Sequence, residues 1–116
     1  MKLTESLGQF EQLVLTAVMA LDPEEAYGMP IYSKVCELAD REANLGSVYV
    51  TLERLQKKGY VAAKVSKATP DQGGKPRRFY RVLPAGMAAL RENAETSRRV
   101  SETFFERIRK WNPVKR

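Results

Sequence analysis

The sequence predicts a mostly helical fold that carries a two-stranded β-hairpin and ends in a long helix. Apolar residues recur at helical spacing in three segments before residue 59. The spacing changes to alternation between residues 61 and 83, and helical spacing returns from residue 84. The 116 residues are 43% hydrophobic and 29% charged, which is typical of a globular domain and not of a disordered chain.

Helix one is predicted over residues 7–21. We expect a capping box formed by Ser6 and Gln9 at its start, and Pro23 follows its end. The segment is apolar on nearly all sides, so we expect two of its faces to be buried. One of these faces is a candidate contact with a second subunit.

Helix two is predicted over residues 27–39, where apolar residues repeat at intervals of four and three. Pro30 falls in the first turn, where its missing N–H costs nothing. Cys36 lies within the helix, and we interpret it as a small buried thiol and not as a redox sensor.

Helix three is predicted over residues 48–58, after the cap-forming segment 44–47 and before Gly59. At about 100° per residue, its apolar stripe should face the core. The apolar stripe consists of Val48, Leu52 and Leu55, and the opposite, exposed face carries Val50, Arg54 and Lys57. One flank carries Ser47, Thr51 and Lys58, and the other carries Tyr49 and Gln56.

Two β-strands are predicted after Gly59, over residues 61–66 and 78–83. The connector 69–76 is rich in residues that form turns, which predicts a flexible hairpin. A two-stranded hairpin is marginal alone, so one of its faces should lean on the helices. We expect Tyr60, Phe79 and Tyr80 to belong to this packed face.

A long helix is predicted from Pro84 to about Trp111, roughly 42 Å at 1.5 Å per residue. Its apolar and small residues follow intervals of three and four, which predicts a seam against another helix. The alternative is that this face packs on its own domain. The predicted dimer interface comprises Leu13, Met87, Leu90, Ala94, Ser97, Ser101, Phe104, Ile108 and Trp111.

The composition argues against catalysis and against a metal site. The chain has no histidine and one cysteine, which removes most metal sites and all histidine-based acid, base or nucleophile chemistry. We therefore expect neither an enzyme nor a bound cofactor. The start of the chain lacks the pattern of a signal peptide and no apolar stretch approaches the ~20 residues that span a bilayer, so a cytoplasmic protein without membrane contact is expected.

The charge distribution favours a polyanionic partner. Residues 1–40 carry a net charge of −5, whereas residues 41–81 carry +7. Three helices followed by a hairpin are the element order of a winged helix-turn-helix, in which the third helix enters the major groove of duplex DNA. The candidate DNA-binding residues are Asn44, Ser47, Tyr49, Val50, Thr51, Arg54, Lys57, Lys58, Lys67, Lys75, Arg77 and Arg78.

Several of these residues have a plainer alternative. Tyr49 is a candidate for phosphate or base contact, or else an aromatic residue that braces the hairpin. Arg54 reads guanine or neutralises a phosphate, and Val50 is placed for a thymine methyl group. The wing cations Lys75, Arg77 and Arg78 contact the DNA backbone or form a solvated run of charges.

Six segments together resemble the PadR-type transcriptional regulators over about residues 7–90. They are LGQFEQLVL at 7–15, AYG at 26–28, LGSVYVTLERL at 45–55, GYV at 59–61, GGKPRRFYRV at 73–82 and PAG at 84–86. The resemblance implies a homodimeric, winged-helix repressor whose C-terminal helix pairs across a two-fold axis. It also implies that a small apolar or planar effector can bind between the subunits. Met29-Pro30 departs from the family pattern at the start of helix two.

These observations divide the chain into a winged helix-turn-helix domain at 1–83 and a dimerisation helix at 84–116. The leading interpretation is a sequence-specific regulator that binds duplex DNA. The alternatives are a winged helix that binds proteins, a ligand-sensing module without operator binding, and an RNA-binding winged helix.

Overall fold

The computed structural model describes residues 7–67 and 69–113 and contains four helices and one hairpin in these parts of the chain. The elements in chain order are α1 (Gln9–Ala20), α2 (Gly28–Ala39), α3 (Leu45–Lys57), β1 (Val61–Val65), β2 (Arg78–Val82) and α4 (Pro84–Ile108). Short 3-10 turns lie at Pro23–Glu25 and Pro70–Gln72. The predicted fold class is confirmed.

The core lies where α1 packs against α2, α3, β2 and the start of α4. Leu15, Ile31 and Leu52, one from each of the first three helices, are fully buried. The α3 stripe of Val48, Leu52 and Leu55 is also buried completely, as its helical spacing predicts.

The α3 helix begins three residues earlier than predicted, at Leu45, because Asn44 is its N-cap. The Asn44 side-chain oxygen accepts a hydrogen bond from the Ser47 N–H at 2.9 Å. At the other end, Gly59 adopts a left-handed φ of +79°, which terminates the helix. The prediction for Gly59 is confirmed, and the cap segment forms the first turn of the helix.

The α1 helix begins at Gln9 with Gly8 as its N-cap, not at the expected Ser6–Gln9 box. The Gly8 N–H donates to the Glu11 carboxylate at 3.0 Å. Glu11 therefore supplies the reciprocal bond expected of a capping residue. Ser6 lies outside the described residues.

The hairpin pairs Val61 with Val82 and Val65 with Arg78 in an antiparallel register. Its base packs on the helices through Val61 and Tyr80, which are buried. Val65 is 57% exposed, so the alternating pattern does not produce a packed face over the whole strand. Lys64 and Val65, in the distal half of β1, are both exposed.

The α4 helix packs on the domain only through its first turns. Leu90 is buried in the core, and every described residue after Asn93 is exposed. The helix ends at Ile108, three residues before the predicted end, although the Trp111 N–H still donates to the Ile108 carbonyl at 3.2 Å. The projecting helix gives the chain a longest dimension of 64 Å.

Candidate nucleic-acid interface

The outer face of α3 carries the side chains that the helical wheel placed there. Val50 is 58% exposed, and Arg54 and Lys57 are exposed as well. Ser47, which the wheel placed on a flank, is also exposed. Lys57 forms a loose ion pair with Glu53 at 3.6 Å, in which both side chains remain in solvent. Such an exposed pair is weak, so Lys57 is still available to a phosphate.

The turn before α3 is held by hydrogen bonds around Ala43. The Tyr32 hydroxyl donates to the Ala43 carbonyl at 2.9 Å, and the Ala43 N–H donates to the Cys36 sulfur at 3.3 Å. A hydrogen bond with Cys36, together with burial and the nearby charge of Glu42, raises the pKa of Tyr32. Cys36 is partly buried, and its sulfur fixes the turn that orients α3.

Tyr49 joins α3 to the start of α2. Its side chain is 44% exposed, and its hydroxyl lies so close to Gly28 that a Cβ at that position would overlap it. Gly28 therefore permits the close approach of the two helices. Tyr49 thus contacts the start of α2.

The hairpin is attached to the helical domain by an additional backbone pairing. Tyr27 forms an isolated antiparallel bridge with Phe79, and the Tyr80 N–H donates to the Ala26 carbonyl at 2.8 Å. The rings of Tyr27 and Phe79 meet edge to face at 5.3 Å. The wing is thereby fixed next to the N-terminus of α2.

Arg77 stacks on the face of the Tyr27 ring. Its guanidinium carbon lies 4.2 Å from the ring centroid, which is a close cation–π contact. Arg78, the first residue of β2, is exposed beside it.

A groove of about 620 Å³ separates the wing from the helices. It is bounded by Gly28 and Met29 at the start of α2, by Tyr49 on α3, and by the run Lys75–Arg78 on the wing. None of the residues described as lining it is acidic. A concave surface with three cations and three tyrosines is suited to an anion such as a phosphodiester.

Two of the predicted DNA-binding residues, Thr51 and Lys58, do not line the groove between the wing and the helices. Thr51 is only 4% exposed because its flank of α3 is turned towards α1. Lys58, on the same flank, forms an ion pair with Glu11 at 2.8 Å, with 22% and 11% of the two side chains exposed. We correct both assignments. A third, Asn44, is exposed but is engaged in capping α3.

The charge of Glu11 is stabilised by its surroundings. Burial by itself raises its pKa, but hydrogen bonds from Lys58 and the Gly8 N–H and the charges of Lys58 and Arg54 outweigh it. The net effect holds the pKa of Glu11 below its ordinary value. Glu11 thus ties the C-terminal end of α3 to the first turn of α1.

Most of the predicted dimer seam lies on the projecting part of α4. Met87, Phe104, Ile108 and Trp111 are between 36% and 61% exposed, and the small residues Ala94, Ser97 and Ser101 are exposed. Leu90 is different, because it is 6% exposed and belongs to the core of its own chain, so we correct its assignment to the interface. Leu13 is half-buried against the same core.

Sequence reasoning missed three residues that shape the interface: Tyr27, Gly28 and Glu11. Tyr27 and Gly28 were noticed only within a motif of the resemblance, and no spacing rule pairs Tyr27 with Arg77, fifty positions later. The Glu11 carboxylate on a nearly all-apolar helix was a usable signal, since a buried charge needs a partner.

Two classes of feature are not found in the described parts of the chain. Within residues 7–67 and 69–113, no group of three or more His, Cys, Asp or Glu side chains is placed to hold a metal ion. No helix in these ranges is long and apolar enough to span a membrane.

Three helices, a hairpin beside the third helix and a basic surface shared by both define a DNA-binding winged helix-turn-helix protein. Within that class, the chain belongs to the transcriptional regulator PadR-like family, whose model matches residues 17–92. Members of this family are transcriptional regulators, so the class of function is DNA-binding regulation of transcription. A search of curated proteins gives no significant match.

Solved structures support the same fold. A PadR-like transcription factor from Bacteroides fragilis has a TM-score of 0.69 at 23% identity, covering 85% of this chain and 89% of its own. A PadR family transcriptional regulator from Eggerthella lenta has a TM-score of 0.66 at 25% identity, covering 90% of this chain and 85% of its own. A PadR-like transcriptional regulator from Bacillus cereus has a TM-score of 0.69 at 22% identity, covering 84% and 89%.

Proposed function

We propose that this protein is a homodimeric transcriptional repressor that binds an inverted-repeat operator in duplex DNA. The observation that carries the proposal is the groove in which Tyr49 of α3 and the wing run Lys75–Arg78 lie together, next to the exposed outer face of α3. In this proposal α3 enters the major groove, where Val50 and Arg54 meet base edges. The wing cations then neutralise phosphates beside the same groove.

The dimer follows from the exposed seam of α4. A helix that projects from its domain with aromatic residues in solvent leaves a large apolar surface uncovered. The heptad-like spacing of that surface suits a second copy of the same helix. Two-fold pairing duplicates the DNA-binding surface, and the operator must then be an inverted repeat.

The proposal also covers the cellular location, the remaining DNA-contacting residues and an effector site. The protein acts in the cytoplasm, because its proposed ligand is chromosomal DNA. In addition to Val50 and Arg54, the residues proposed to contact DNA are Ser47, Tyr49, Lys57, Lys67, Lys75, Arg77 and Arg78. A small apolar effector between the subunits is proposed at the Phe104–Trp111 end of α4, where an open pocket of about 450 Å³ includes Ile108.

The test is a selection of binding sites from random duplexes, followed by gel-shift titration of the selected site at several salt concentrations. We expect an inverted repeat with half-sites about one helical turn, or a multiple of it, apart. A promoter that overlaps this site should lose expression when the protein is present. Recovery of no preferred duplex, together with no retention of DNA at low salt, would refute the proposal.

A double substitution of the wing sharpens the same test. Arg77→Ala with Arg78→Ala should weaken binding and reduce the slope of log K against log salt by about one to two units, since each lost phosphate contact removes about 0.9. The control is Arg99→Ala on α4 with Arg109→Ala at its C-cap, which removes the same charge away from the groove and should leave the slope unchanged. Equal slopes for the wing variant and the wild type would exclude wing contact.

A further inference from the structure

We propose that Tyr27 is a positioning residue, which holds Arg77 ready for a DNA backbone phosphate seated in the groove between α2 and the wing. The inference rests on the proposed function and deepens it. It names the chemical group that occupies the groove, a phosphodiester, and a residue outside the predicted contact set that determines how tightly it binds.

The backbone of Arg77 is fixed on the wing. Its N–H donates to the Ser66 hydroxyl at 3.2 Å, and its carbonyl accepts from the Ser66 N–H at 2.8 Å. The bond from the Ser66 N–H extends the backbone pairing of the hairpin one step past Val65 and Arg78, and the bond to the Ser66 hydroxyl reinforces it. Arg77 therefore does not share the freedom of a residue in an open connector.

The Tyr27 ring, which contacts the Arg77 side chain, is held in place by Phe79. Its backbone pairs with Phe79, and its ring meets the Phe79 ring edge to face at an interplanar angle of 62°. The neighbouring Ala26 carbonyl is bound by the Tyr80 N–H. The ring is thus a rigid platform, and the Arg77 guanidinium lies 4.2 Å above it.

Stacking on a ring leaves an arginine able to bind an anion. A guanidinium has five N–H donors in its own plane, so an arginine that packs over a ring keeps donors for an anion. Those donors match the geometry of a phosphate. An arginine held in this way loses less side-chain entropy when it binds than an arginine that moves freely in solvent.

The surroundings of the Arg77 side chain favour a phosphodiester over other occupants. Lys75 and Arg78 line the same groove, the Tyr49 side chain lies across from them, and no described lining residue is acidic. Gly28 and Met29, the first two residues of α2, border the groove, and a helix N-terminus carries a partial positive charge. The groove also adjoins α3, so the backbone beside the major groove passes this point when α3 enters it.

The experiment compares Tyr27→Leu, Tyr27→Phe, Arg77→Ala and the double variant Tyr27→Leu/Arg77→Ala in the full chain. The probe is a mixed-sequence DNA duplex of about 30 base pairs, long enough for two half-sites, because phosphate contacts do not depend on sequence. Fluorescence anisotropy gives Kd at several salt concentrations. Arg99→Ala on α4 is the matched control for loss of one charge, and thermal melting checks that each variant is folded.

Tyr27→Leu should weaken binding about fivefold, which is about 1 kcal/mol at 1.4 kcal/mol per tenfold, and should keep the wild-type salt slope. Tyr27→Phe retains the ring and should bind as the wild type does. Arg77→Ala should lower the slope by about 0.9. In the Arg77→Ala background, Tyr27→Leu should have no further effect, because the two residues act as a unit.

Two results would overturn this role for Tyr27. One is wild-type affinity in Tyr27→Leu. The other is an equal loss of affinity from Tyr27→Leu with and without Arg77, which would show that the leucine merely loosens the wing. If the unsubstituted protein itself binds no duplex, the proposed function fails first, and the assignment of a phosphate fails with it.

Discussion

Replacing Glu11 by Gln should destabilise the domain by about 2 kcal/mol. Glu11 is 8% exposed and accepts two hydrogen bonds, one from the Gly8 N–H at 3.0 Å and one from Lys58 at 2.8 Å. A glutamine amide oxygen can keep the bond from Gly8, so the substitution isolates the ion pair. The substitution thus removes the negative charge that faces Lys58 at 2.8 Å.

The magnitude follows from the exposure of this pair. A hydrogen bond between charged groups contributes about 1.5–3 kcal/mol, and removing one partner of a buried pair costs more than removing one from an exposed pair. With 22% of Lys58 and 11% of Glu11 exposed, some solvent screening remains, which places the loss near the lower half of that range. For a domain of this size, about 2 kcal/mol lowers Tm by roughly 8 °C.

The pH dependence gives a second readout. The pKa of Glu11 is lowered by folding, so its stabilising contribution is fully present above its ordinary value near 4.5 and is lost as the pH falls through its folded value. Thermal melts at fixed protein concentration should therefore show a difference between wild type and Glu11→Gln that is large at pH 7. The difference should shrink below about pH 4.5.

A matched control is available on α3. Glu53→Gln breaks the Lys57 pair, whose side chains are 78% and 68% exposed, and should change stability by no more than about 0.5 kcal/mol. Equal melting temperatures for Glu11→Gln and Glu53→Gln would refute the reasoning from burial. A difference that is unchanged between pH 7 and pH 3 would show that the Glu11 charge is not responsible.

Two more predictions concern the projecting part of α4. The double variant Phe104→Ser/Ile108→Ser should convert the proposed dimer to a folded monomer, as measured by light scattering. The control Val65→Ser, which removes an exposed aliphatic side chain from the wing, should leave the dimer intact. If the double variant is still a dimer, this seam is not the interface. Titration with planar apolar compounds should change Trp111 fluorescence in the wild type and not in the Phe104→Ser/Ile108→Ser variant, and a flat response in both would exclude an effector at this end of α4.

Much of the fold was predictable because it depends on local patterns. The α3 stripe of Val48, Leu52 and Leu55 was assigned correctly, and so was Gly59 as the residue that ends the helix. The exposed Val50 was also predicted, because 3.6 residues per turn place it opposite the stripe. Errors at helix ends, such as the start of α3 at Leu45, arose because capping bonds extend a helix into its cap segment.

The site was less predictable, because it depends on which flank of a helix meets a neighbour. The helical periodicity placed Thr51 and Lys58 on one flank of α3 and Tyr49 on the other. It did not show that α1 covers the first flank, whereas Tyr49 on the second flank remains 44% exposed to solvent. The same limit applies to Leu90, which fits the seam by spacing but lies where α4 still packs on its own domain.

The sequence alone determined the order of the helices and strands and the positively charged block that begins at Arg41. These properties depend on composition and on neighbours within one or two helical turns. Only the tertiary structure decided that Lys58 faces Glu11 and that Arg77 stacks on Tyr27. Both contacts join residues about fifty positions apart, and the packing of α1 and of the wing, not any local periodicity, brings them together.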